Sequence, residues 1–267
     1  MSRRTVLITG STGIGAATAE QLAEAGDAVF VVSRTPDHAA GLAERIRHSG
    51  GTADAFEADL TVEDEAEAAV AACILRMGRI DGLLSVAGGS GRRYGDGPLH
   101  ELTAEGWDRT IELNLRSQAL VCRAVVRHMR SHAAIDGSTE RGAIVLVSSV
   151  LASHPVPELF GTHAYAAAKG AIVALASVMA ATYASDGIRV NVVAPGLTAT
   201  PMAARAAADP ASIAFARRKQ PLSGGLVDAA DVARAAAFLL GPSSRAITGQ
   251  VLAVDGGWSV VSAAPEP

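Results

Sequence analysis

A tyrosine and a lysine four positions apart are the first residues in this sequence that could do chemistry. Tyr165 and Lys169 would project from the same face of a helix, because residues at i and i+4 are neighbours on its surface. A phenol with its reference pKa of about 10 is a poor acid–base catalyst at neutral pH, and a nearby ammonium group favours the phenolate and lowers that pKa. Tyr165 is therefore predicted to give a proton to a carbonyl oxygen or to take one from an alcohol. Taken alone, the Tyr-x-x-x-Lys spacing is a weak signal. The favoured interpretation of the pair by itself is two side chains exposed on the surface of a helix.

Two further polar residues stand on segments that could meet this pair. Ser149 follows an apolar run and is predicted to hold the substrate oxygen. Asn114 lies within the long helical segment that precedes this run. Together with Tyr165 and Lys169 they form the candidate catalytic set.

A glycine-rich loop near the N-terminus predicts a nucleotide site. Between a predicted strand and a predicted helix the chain reads Gly10, Ser11, Thr12, Gly13, Ile14, Gly15. Glycines let the backbone turn sharply and approach a pyrophosphate, and the helix N-terminus offers free N–H groups and the positive end of its dipole. The alternative is a tight strand-to-helix turn that binds nothing.

The ends of the next strands carry the candidate contacts for the rest of a dinucleotide. An acidic residue at the end of the second strand would bind the ribose 2′-hydroxyl of NAD, but Ser33 and Arg34 stand there and suit a 2′-phosphate. We therefore expect NADP(H) to be preferred, with NAD(H) still usable, unless Arg34 is simply a solvated residue. Asp59 could accept a hydrogen bond from the adenine amino group or cap the following helix. Ala87 and Gly88, after the fourth strand, open onto the same crevice.

Short apolar runs alternate with longer amphipathic stretches along the chain. This pattern predicts an α/β fold, a single-domain Rossmann-like doubly wound parallel sheet with helices on both faces, over residues 1–267. The predicted strands are Thr5–Thr9, Ala28–Ser33, Ala53–Glu57, Gly82–Val86, Ala143–Ser148, Arg189–Ala194 and Gln250–Val254. The predicted helices are Ala16–Ala25, Pro36–Ser49, Val62–Met77, one long helix within Ala104–His132, Ala164–Ser185 and Asp228–Leu240. Residues 201–225, broken by prolines, are a candidate substrate lid.

The composition and residue pattern of the chain argue against nucleic acid, membrane and metal partners. The net charge of −4 gives no basic face for nucleic acid. No uninterrupted apolar run reaches the roughly 20 residues that span a bilayer, so we expect no membrane segment and a cytoplasmic protein. Cys73 and Cys122 are expected to be core residues, and no set of metal ligands is suggested.

These residues, taken in order, resemble the short-chain dehydrogenase/reductase family over nearly the whole chain. The matching blocks are Thr9–Gly15, Asp59-Leu60, Ala87-Gly88, Asn114, Ser148-Ser149, Tyr165–Lys169, Arg189–Asn191, Pro195-Gly196, Thr200–Met202 and Ile247–Gly257. The resemblance implies that Asn114 holds a water linking Lys169 to solvent, and that Lys169 also binds the nicotinamide ribose.

The resemblance has three further implications. Pro195 and Gly196 would lie against the nicotinamide, with Thr198 and Thr200 near its carboxamide and the diphosphate. Tyr165 and Lys169 would contact the cofactor as well as the substrate. The implied assembly is a homotetramer, or a homodimer, built partly by pairing the long helices that carry Asn114 and Tyr165.

The chain departs from the family pattern in three places. The glycine loop is one residue shorter, which could weaken cofactor binding or shift its pose. Ser85 and Val86 replace two asparagines, which removes side-chain support from the fourth strand. The segment Leu151–His163 is longer than in many relatives and could shape the pocket, chiefly through His154, Leu159, Phe160 and His163.

Three functions are compatible with these observations. The favoured one is an NADPH-dependent reductase that converts a ketone or other carbonyl to an alcohol, with Tyr165 as general acid. The alternatives are an NAD-dependent alcohol or sugar dehydrogenase and a non-catalytic nucleotide-binding protein; an enoyl reductase is less favoured, because related ones space Tyr and Lys further apart. The small-molecule substrate is open: Arg92 and Arg93 could meet an acidic group, although solvated surface charge is the preferred interpretation.

Overall fold

Seven parallel strands form the centre of the protein. The structure, a computed structural model, describes residues 3–134 and 139–262 of the chain. The strands are β1 Thr5–Thr9, β2 Ala28–Ser33, β3 Thr52–Glu57, β4 Gly82–Ser85, β5 Gly142–Val147, β6 Ile188–Pro195 and β9 Val251–Val254. They are arranged in the order β3-β2-β1-β4-β5-β6-β9, and every described pair is parallel. All seven predicted strands are confirmed to within one residue at each end.

Helices cover both faces of this sheet. They are α1 Gly13–Glu24, α2 Pro36–His48, α3 Glu63–Met77, α4 Ala104–Ile111, α5 Ser117–Ser131, α6 Pro157–Phe160, α7 His163–Tyr183, α8 Ala204–Ala207, α9 Pro210–Lys219 and α10 Ala229–Leu240. One hydrophobic cluster joins α3, α5 and α7 to the sheet, and a second joins α1, α2 and α10 to the opposite face. The five inner strands β2, β1, β4, β5 and β6 are buried on both sides, which explains why they read as continuous apolar runs, whereas the edge strands β3 and β9 are partly exposed.

Cys73 and Cys122 lie in the first cluster as free, buried thiols, as predicted. Burial raises the pKa of each thiol to about 12. Both are therefore packing residues at neutral pH.

The long helix predicted within Ala104–His132 is present, and it contains a π-helical turn that the sequence did not predict. This turn, Glu112–Arg116, lies between α4 and α5. Asn114 lies within it and donates through Nδ2 to the Thr110 carbonyl (2.9 Å) and to Gly89 O (2.9 Å). A single-turn π-bulge of this kind widens the helix locally and is frequent at functional sites.

The motif residues of β6 hold the last strand in place. Arg189 is buried and donates to the carbonyls of Leu239 (2.8 Å) and Gly241 (3.2 Å) at the end of α10. Asn191 donates to Ile247 O (2.9 Å) and accepts from Gln250 N (3.0 Å). These two residues therefore stabilise the fold rather than the site.

Helix α7 is long and apolar enough to cross a membrane, by length and composition only. The sequence did not predict this, because no uninterrupted apolar run of sufficient length occurs in it. In this structure it packs against β6 and α4, and its Ile172 and Met179 lie in the core. Lys169 on the same helix is buried beside the candidate site. A core helix of this kind passes the same test of length and composition.

The predicted lid, residues 201–225, is built from a 3₁₀ turn at Pro201–Ala203 followed by α8 and α9. Its base is closed by a short parallel pair that the sequence did not predict, β7 Thr198–Ala199 with β8 Val227–Asp228. Buried Gln220 accepts from Leu197 N (2.7 Å) and donates to Leu197 O (3.1 Å) and Gly225 O (2.6 Å). Both ends of the segment are thus tied to the strand end at Gly196.

Candidate active site

A cavity of about 510 Å³ opens at the carboxyl ends of the central strands. It lies where the strand order reverses between β1 and β4, which is where ligands bind in doubly wound sheets. The predicted site residues that line it are Gly10, Thr12, Gly13, Ile14, Ala87, Gly88, Ser149, Tyr165, Lys169, Pro195, Gly196, Thr198 and Thr200. Tertiary structure thus brings the glycine loop and the candidate catalytic residues into one space.

The shortened glycine loop closes without backbone strain. Within the described residues only glycines have a positive φ, and in this loop they are Gly10 (117°) and Gly13 (54°). A Cβ on Gly15 would lie 2.3 Å from Gly10 O, so Gly15 permits close packing of helix and loop. Ser11 is buried, and the Thr12 side chain makes no cap hydrogen bond to α1. The N–H groups of the first turn are therefore left for an anion, which fits a dinucleotide diphosphate.

The strand end after β4 is supported by Thr9 instead of the missing amides. Thr9 Oγ1 accepts from Val86 N (2.9 Å) and from Ala87 N (3.0 Å). The Ser85 hydroxyl is buried and has no hydrogen-bond partner among the described residues. The loss of two asparagines leaves the backbone of this turn in place beside the cavity.

Tyr165 and Ser149 meet at the inner end of the cavity. Tyr165 is half-buried, with protein packed around it except where it faces the cavity. Burial raises its pKa to about 12, although a hydrogen bond with Ser149 works in the opposite direction. This is opposite to the lowering predicted from the sequence, because burial outweighs the hydrogen bond with Ser149. The phenol is consequently protonated at neutral pH and can donate its proton.

Lys169 is buried beside Tyr165 and reaches the end of β5. Its Nζ donates to Val147 O (2.9 Å) and lies 5.5 Å from the centroid of the Tyr165 ring. Burial lowers the pKa of Lys169 to about 8. Ser148 Oγ donates to the Lys169 carbonyl (2.7 Å), so the strand end and the helix hold each other in register.

Asn114 lies outside the cavity lining, fully buried. Its Oδ1 accepts from Gly89 N (3.2 Å), and its Nδ2 donates to Gly89 O as well as to Thr110 O. A Cβ on Gly88 would lie 2.6 Å from Asn114 Oδ1 and 3.7 Å from Lys169 Nζ, so the three residues are close neighbours. In this structure the Gly88-Gly89 turn lies between Asn114 and Lys169, and the hydrogen bonds of Asn114 hold the turn in place.

Asp96 is a positioning residue that the sequence interpretation missed. It is buried in the loop after β4 and accepts from Ala164 N (2.9 Å) and Tyr165 N (3.0 Å) through its two carboxylate oxygens. Thr162, the N-cap residue of α7, makes no side-chain cap bond of its own. A carboxylate 69 residues away in sequence therefore caps the helix that carries Tyr165. No local pattern in the sequence points to this contact.

The predicted adenosine contacts lie at the neighbouring ends of β2 and β3. Arg34 Nη1 lies 3.6 Å from Asp59 Oδ2, and both side chains are partly exposed. Partial burial works to raise the pKa of Asp59, but hydrogen bonds from Thr61 and the charge of Arg34 outweigh it and lower the pKa. Ser33 accepts from Thr35 N (3.2 Å). The Leu60 side chain is packed in the core, so only its backbone could contact a nucleotide.

The nicotinamide end of the predicted cofactor site approaches the glycine loop from β6. A Cβ on Gly13 would lie 2.8 Å from Thr200 Cγ2, so Thr200 packs directly on the start of α1. Thr198 is buried and donates to Gly196 O (3.0 Å). Thr198 and Thr200 thus line the cavity beside the glycine loop, on the side predicted for the nicotinamide and the diphosphate.

The remaining wall of the cavity combines apolar side chains with three arginines, and much of it comes from segments predicted to shape the pocket. Of the four residues singled out in Leu151–His163, only Phe160 lines it; His154, Leu159 and His163 do not. Trp258 is fully buried, with its ring centroid 5.9 Å from Phe160 and 5.1 Å from Phe215 of α9. Leu151, Met202 and Arg205 also line the cavity, and they lie in the loop and lid segments, 151–163 and 201–225, that were predicted to shape it. Arg92 and Arg93, which could meet an acidic group, line it as well. Val150 and Trp258 were not predicted.

Within the described ranges, no group of three or more His, Cys, Asp or Glu side chains could hold a metal ion. The donors present around the cavity are hydroxyl, ammonium, guanidinium and backbone groups. These groups suit an organic cofactor with phosphates and hydroxyls.

Comparison with known proteins gives one consistent result. Residues 8–259 match the sequence model of a family described as enoyl-(acyl carrier protein) reductase. A cis-4-hydroxycyclohexanecarboxylate dehydrogenase from Sinomonas cyclohexanicum is 38% identical over 261 residues, covering 97% of this chain and 98% of that protein.

Solved structures agree in fold over nearly the full length. A short-chain type dehydrogenase/reductase from Mycobacterium ulcerans has a TM-score of 0.87 at 32% identity, covering 98% of this chain and 92% of that one. A protein described as an NAD(P)-dependent gluconate 5-dehydrogenase, from Beutenbergia cavernae, contains NADP at low occupancy. Its TM-score is 0.85 at 31% identity, and the match covers 97% of this chain and 98% of that one. The sheet order, the glycine loop, the Tyr165–Lys169 pair and these matches together show that the chain belongs to the short-chain dehydrogenase/reductase family and is an NAD(P)-dependent oxidoreductase acting between CH–OH and C=O groups.

Proposed function

We propose that the protein uses NADPH to reduce a ketone to a secondary alcohol, with Tyr165 as general acid. The observation that carries this proposal is geometric: Tyr165 lines the cavity, hydrogen-bonds with Ser149 and has its ring centroid 5.5 Å from Lys169 Nζ. Burial raises the pKa of Tyr165, so its phenol can serve as the proton donor in the reducing direction. In the reverse oxidation the same residue would act as the base.

The residues of the site can divide this reaction among them. A reduced nicotinamide, when bound beside Pro195 and Gly196, supplies the hydride. The Ser149 hydroxyl holds the carbonyl oxygen, and Tyr165 transfers its phenolic proton to that oxygen, which completes the alcohol. The Lys169 ammonium then stabilises the phenolate that remains, at 5.5 Å from the ring.

Replacing the tyrosine tests the acid role. Tyr165→Phe should lower kcat by about 10²- to 10⁴-fold, the usual contribution of a positioned acid, and should leave the Kd for NADPH nearly unchanged. Tyr183→Phe on the same helix, outside the cavity lining, is the matched control. Substantial residual activity in Tyr165→Phe would rule out the acid role. If native protein bound NADPH but turned over no ketone or alcohol, the non-catalytic alternative would stand.

The preference for NADPH rests on Ser33 and Arg34. Arg34 is half exposed and pairs with Asp59 at a distance of 3.6 Å, so its guanidinium keeps free donors for a 2′-phosphate. Arg34→Asp should lower the ratio of kcat/KM for NADPH over NADH by about 10- to 100-fold, since a charged hydrogen bond is lost and a like charge is introduced. Arg45→Asp, an exposed arginine paired with Glu20, is the control. An unchanged ratio in Arg34→Asp would contradict the phosphate interpretation.

The substrate class is suggested by the relative that oxidises a ring alcohol. The cavity walls include Val150, Leu151, Phe160 and Trp258, which suit a carbocyclic body. We therefore infer a cyclic ketone and would assay cyclohexanones, including 4-oxocyclohexanecarboxylate, with both cofactors. Turnover confined to open-chain sugars with NAD would favour the dehydrogenase alternative.

We also infer a homodimer or homotetramer. One face of α7 presents small, exposed side chains, including Ala167, Ala174 and Val178, the last 66% exposed. A second apolar surface lies at the sheet edge, where Phe238, Val251 and Leu252 are exposed. Two separate self-complementary surfaces are what a tetramer with two kinds of interface requires.

A further inference from the structure

The charge inside the cavity is opposite to the charge of the chain. The chain carries a net charge of −4, yet no Asp, Glu or His is found among the described residues that line the cavity. The charged side chains that line it are Lys169, Arg92, Arg93 and Arg205. Lys169 belongs to the catalytic end, so three guanidinium groups remain at the rest of the wall.

These three arginines differ in how many of their N–H donors already make hydrogen bonds within the protein. Arg93 donates to the Tyr94 hydroxyl and lies over its ring, 4.6 Å from the centroid. Arg92 makes one side-chain hydrogen bond, from Nη2 to Leu159 O at 3.3 Å. Among the described residues Arg205 makes no hydrogen bond or salt bridge, although one carboxylate lies near it: hydrogen bonds from Ser212 and Ala211, and then the charge of Arg205, lower the pKa of Asp209. Arg92 and Arg205 therefore hold most of their donors free.

Arg92 and Arg205 come from different segments, and both are exposed side chains that line the cavity. Arg92 lies in the 3₁₀ turn Arg92–Tyr94 after β4, and Arg205 lies in α8 of the lid segment. Partial burial and then the like charge of Arg205 lower the pKa of Arg92. The nearby carboxylate of Asp96 offsets this only in part, because both its oxygens already accept N–H groups of α7. An anion between the two guanidiniums would remove the repulsion.

We propose that Arg92 and Arg205 bind a carboxylate of the substrate, so that the substrate is an apolar cyclic keto acid rather than a neutral ketone. The carbon skeleton of the substrate would pack against the apolar wall formed by Val150, Phe160 and Trp258. Its carbonyl group would lie at Tyr165 and its carboxylate at the two arginines. Guanidinium groups present planar, paired donors that match a carboxylate. The sequence alone favours a solvated surface charge for Arg92, and this assignment replaces that interpretation. The assignment rests on the proposed ketone reduction.

The experiment compares an acid with its neutral ester. Steady-state rates with NADPH are measured for 4-oxocyclohexanecarboxylate and its methyl ester on native protein, Arg92→Gln and Arg205→Gln. Native protein should favour the acid, and each substitution should lower the ratio of kcat/KM for acid over ester by about 10-fold, as one charged hydrogen bond is lost. Arg218→Gln, an exposed arginine of α9 outside the cavity, removes the same charge and should leave the ratio unchanged.

A second measurement does not depend on turnover. Calorimetric titration of NADPH-loaded protein with cyclohexanecarboxylate and with cyclohexanecarboxamide should show tighter binding of the carboxylate, lost in both arginine variants. Equal binding of acid and amide would overturn the proposal even if the methyl ester is reduced. A weaker Kd for NADPH in Arg205→Gln, with the acid-to-ester ratio intact, would assign that arginine to the cofactor diphosphate and also overturn it. Arginine-dependent carboxylate binding without turnover of any ketone would leave the anion site standing while the proposed reduction failed.

Discussion

At the scale of single residues, burial dominates the chemistry of Tyr165 and Lys169. Both groups are pushed toward their neutral forms, with the pKa of Tyr165 raised to about 12 and that of Lys169 lowered to about 8. The lysine still carries its proton at pH 7, so the protein tolerates a buried charge next to the cavity. Such a charge is expected to lower stability while it serves the reaction.

The stability of a Lys169→Met variant tests this cost. At pH 7 the variant should be more stable by about 1–3 kcal/mol, since a shift of one pKa unit equals about 1.4 kcal/mol and the hydrogen bond to Val147 is lost. The variant should also lose most of its activity. Urea unfolding at several pH values measures the gain.

The sign of the pH dependence follows from the lowered pKa. Below about pH 8 the lysine is protonated in both folded and unfolded protein, and the full penalty for the buried charge is present. As the pH rises from about 8 toward 10.5 the folded protein releases the proton first, so the stability advantage of Lys169→Met should shrink. Lys219→Met, a partly exposed lysine, is the control. An advantage that is absent at pH 7, or that does not change with pH, would contradict the argument.

At the scale of elements, the position of Tyr165 depends on how α7 begins. The helix starts with the two backbone N–H groups held by Asp96, which lies on a different loop. The π-helical turn around Asn114 holds the neighbouring Gly88-Gly89 backbone in a similar way. Both contacts join the loop after β4 to a helix, so this loop sets the geometry between the nucleotide and catalytic ends of the cavity.

Substitution of Asp96 by asparagine should separate positioning from stability. Asp96→Asn keeps one acceptor oxygen but loses the second and the charge at the helix N-terminus, which should destabilise the protein by about 1–2 kcal/mol. Because Tyr165 is in the capped turn, kcat should fall while KM changes little. Thermal unfolding and steady-state kinetics measure the two effects.

Asp228→Asn is the control for this prediction. Asp228 caps α10 by accepting from Ala230 N (2.9 Å), away from the cavity lining. It should give a similar loss of stability with kcat maintained. Equal kcat losses in both variants would show that Asp96 acts only through overall stability.

At the scale of the whole molecule, the apolar face of α7 predicts self-association. Ala174 and Val178 are exposed on a helix whose opposite face is in the core, and small side chains allow two such helices to approach closely. The native protein should have the mass of two or four chains of 27.1 kDa by light scattering. Ala174→Glu should lower that mass, because a charge would be buried at the contact.

A substitution elsewhere on the surface controls for the added charge. Leu75 on α3 is 85% exposed and lies on a different helix, so Leu75→Glu should keep the native mass. A native protein that runs as a single chain at micromolar concentration would contradict the proposed assembly. A mass unchanged by Ala174→Glu would place the interface elsewhere, with the sheet edge at Val251 as the next surface to vary.

The sheet, the glycine loop and the candidate pair Tyr165 and Lys169 could be predicted from local patterns in the chain. Strands buried on both faces leave uninterrupted apolar runs, and glycines or a Tyr-x-x-x-Lys spacing are local patterns, so Thr5–Thr9 and Tyr165 could be assigned without coordinates. The sequence did not show the π-turn at Asn114 or its side-chain bond to Gly89, which lies in another segment. Nor did it show the Asp96 cap, the arginine pair or Trp258 in the wall, which join residues far apart in the chain. The direction of the Tyr165 pKa shift belongs with these, since it depends on how much protein surrounds the phenol, and only the tertiary packing decides that.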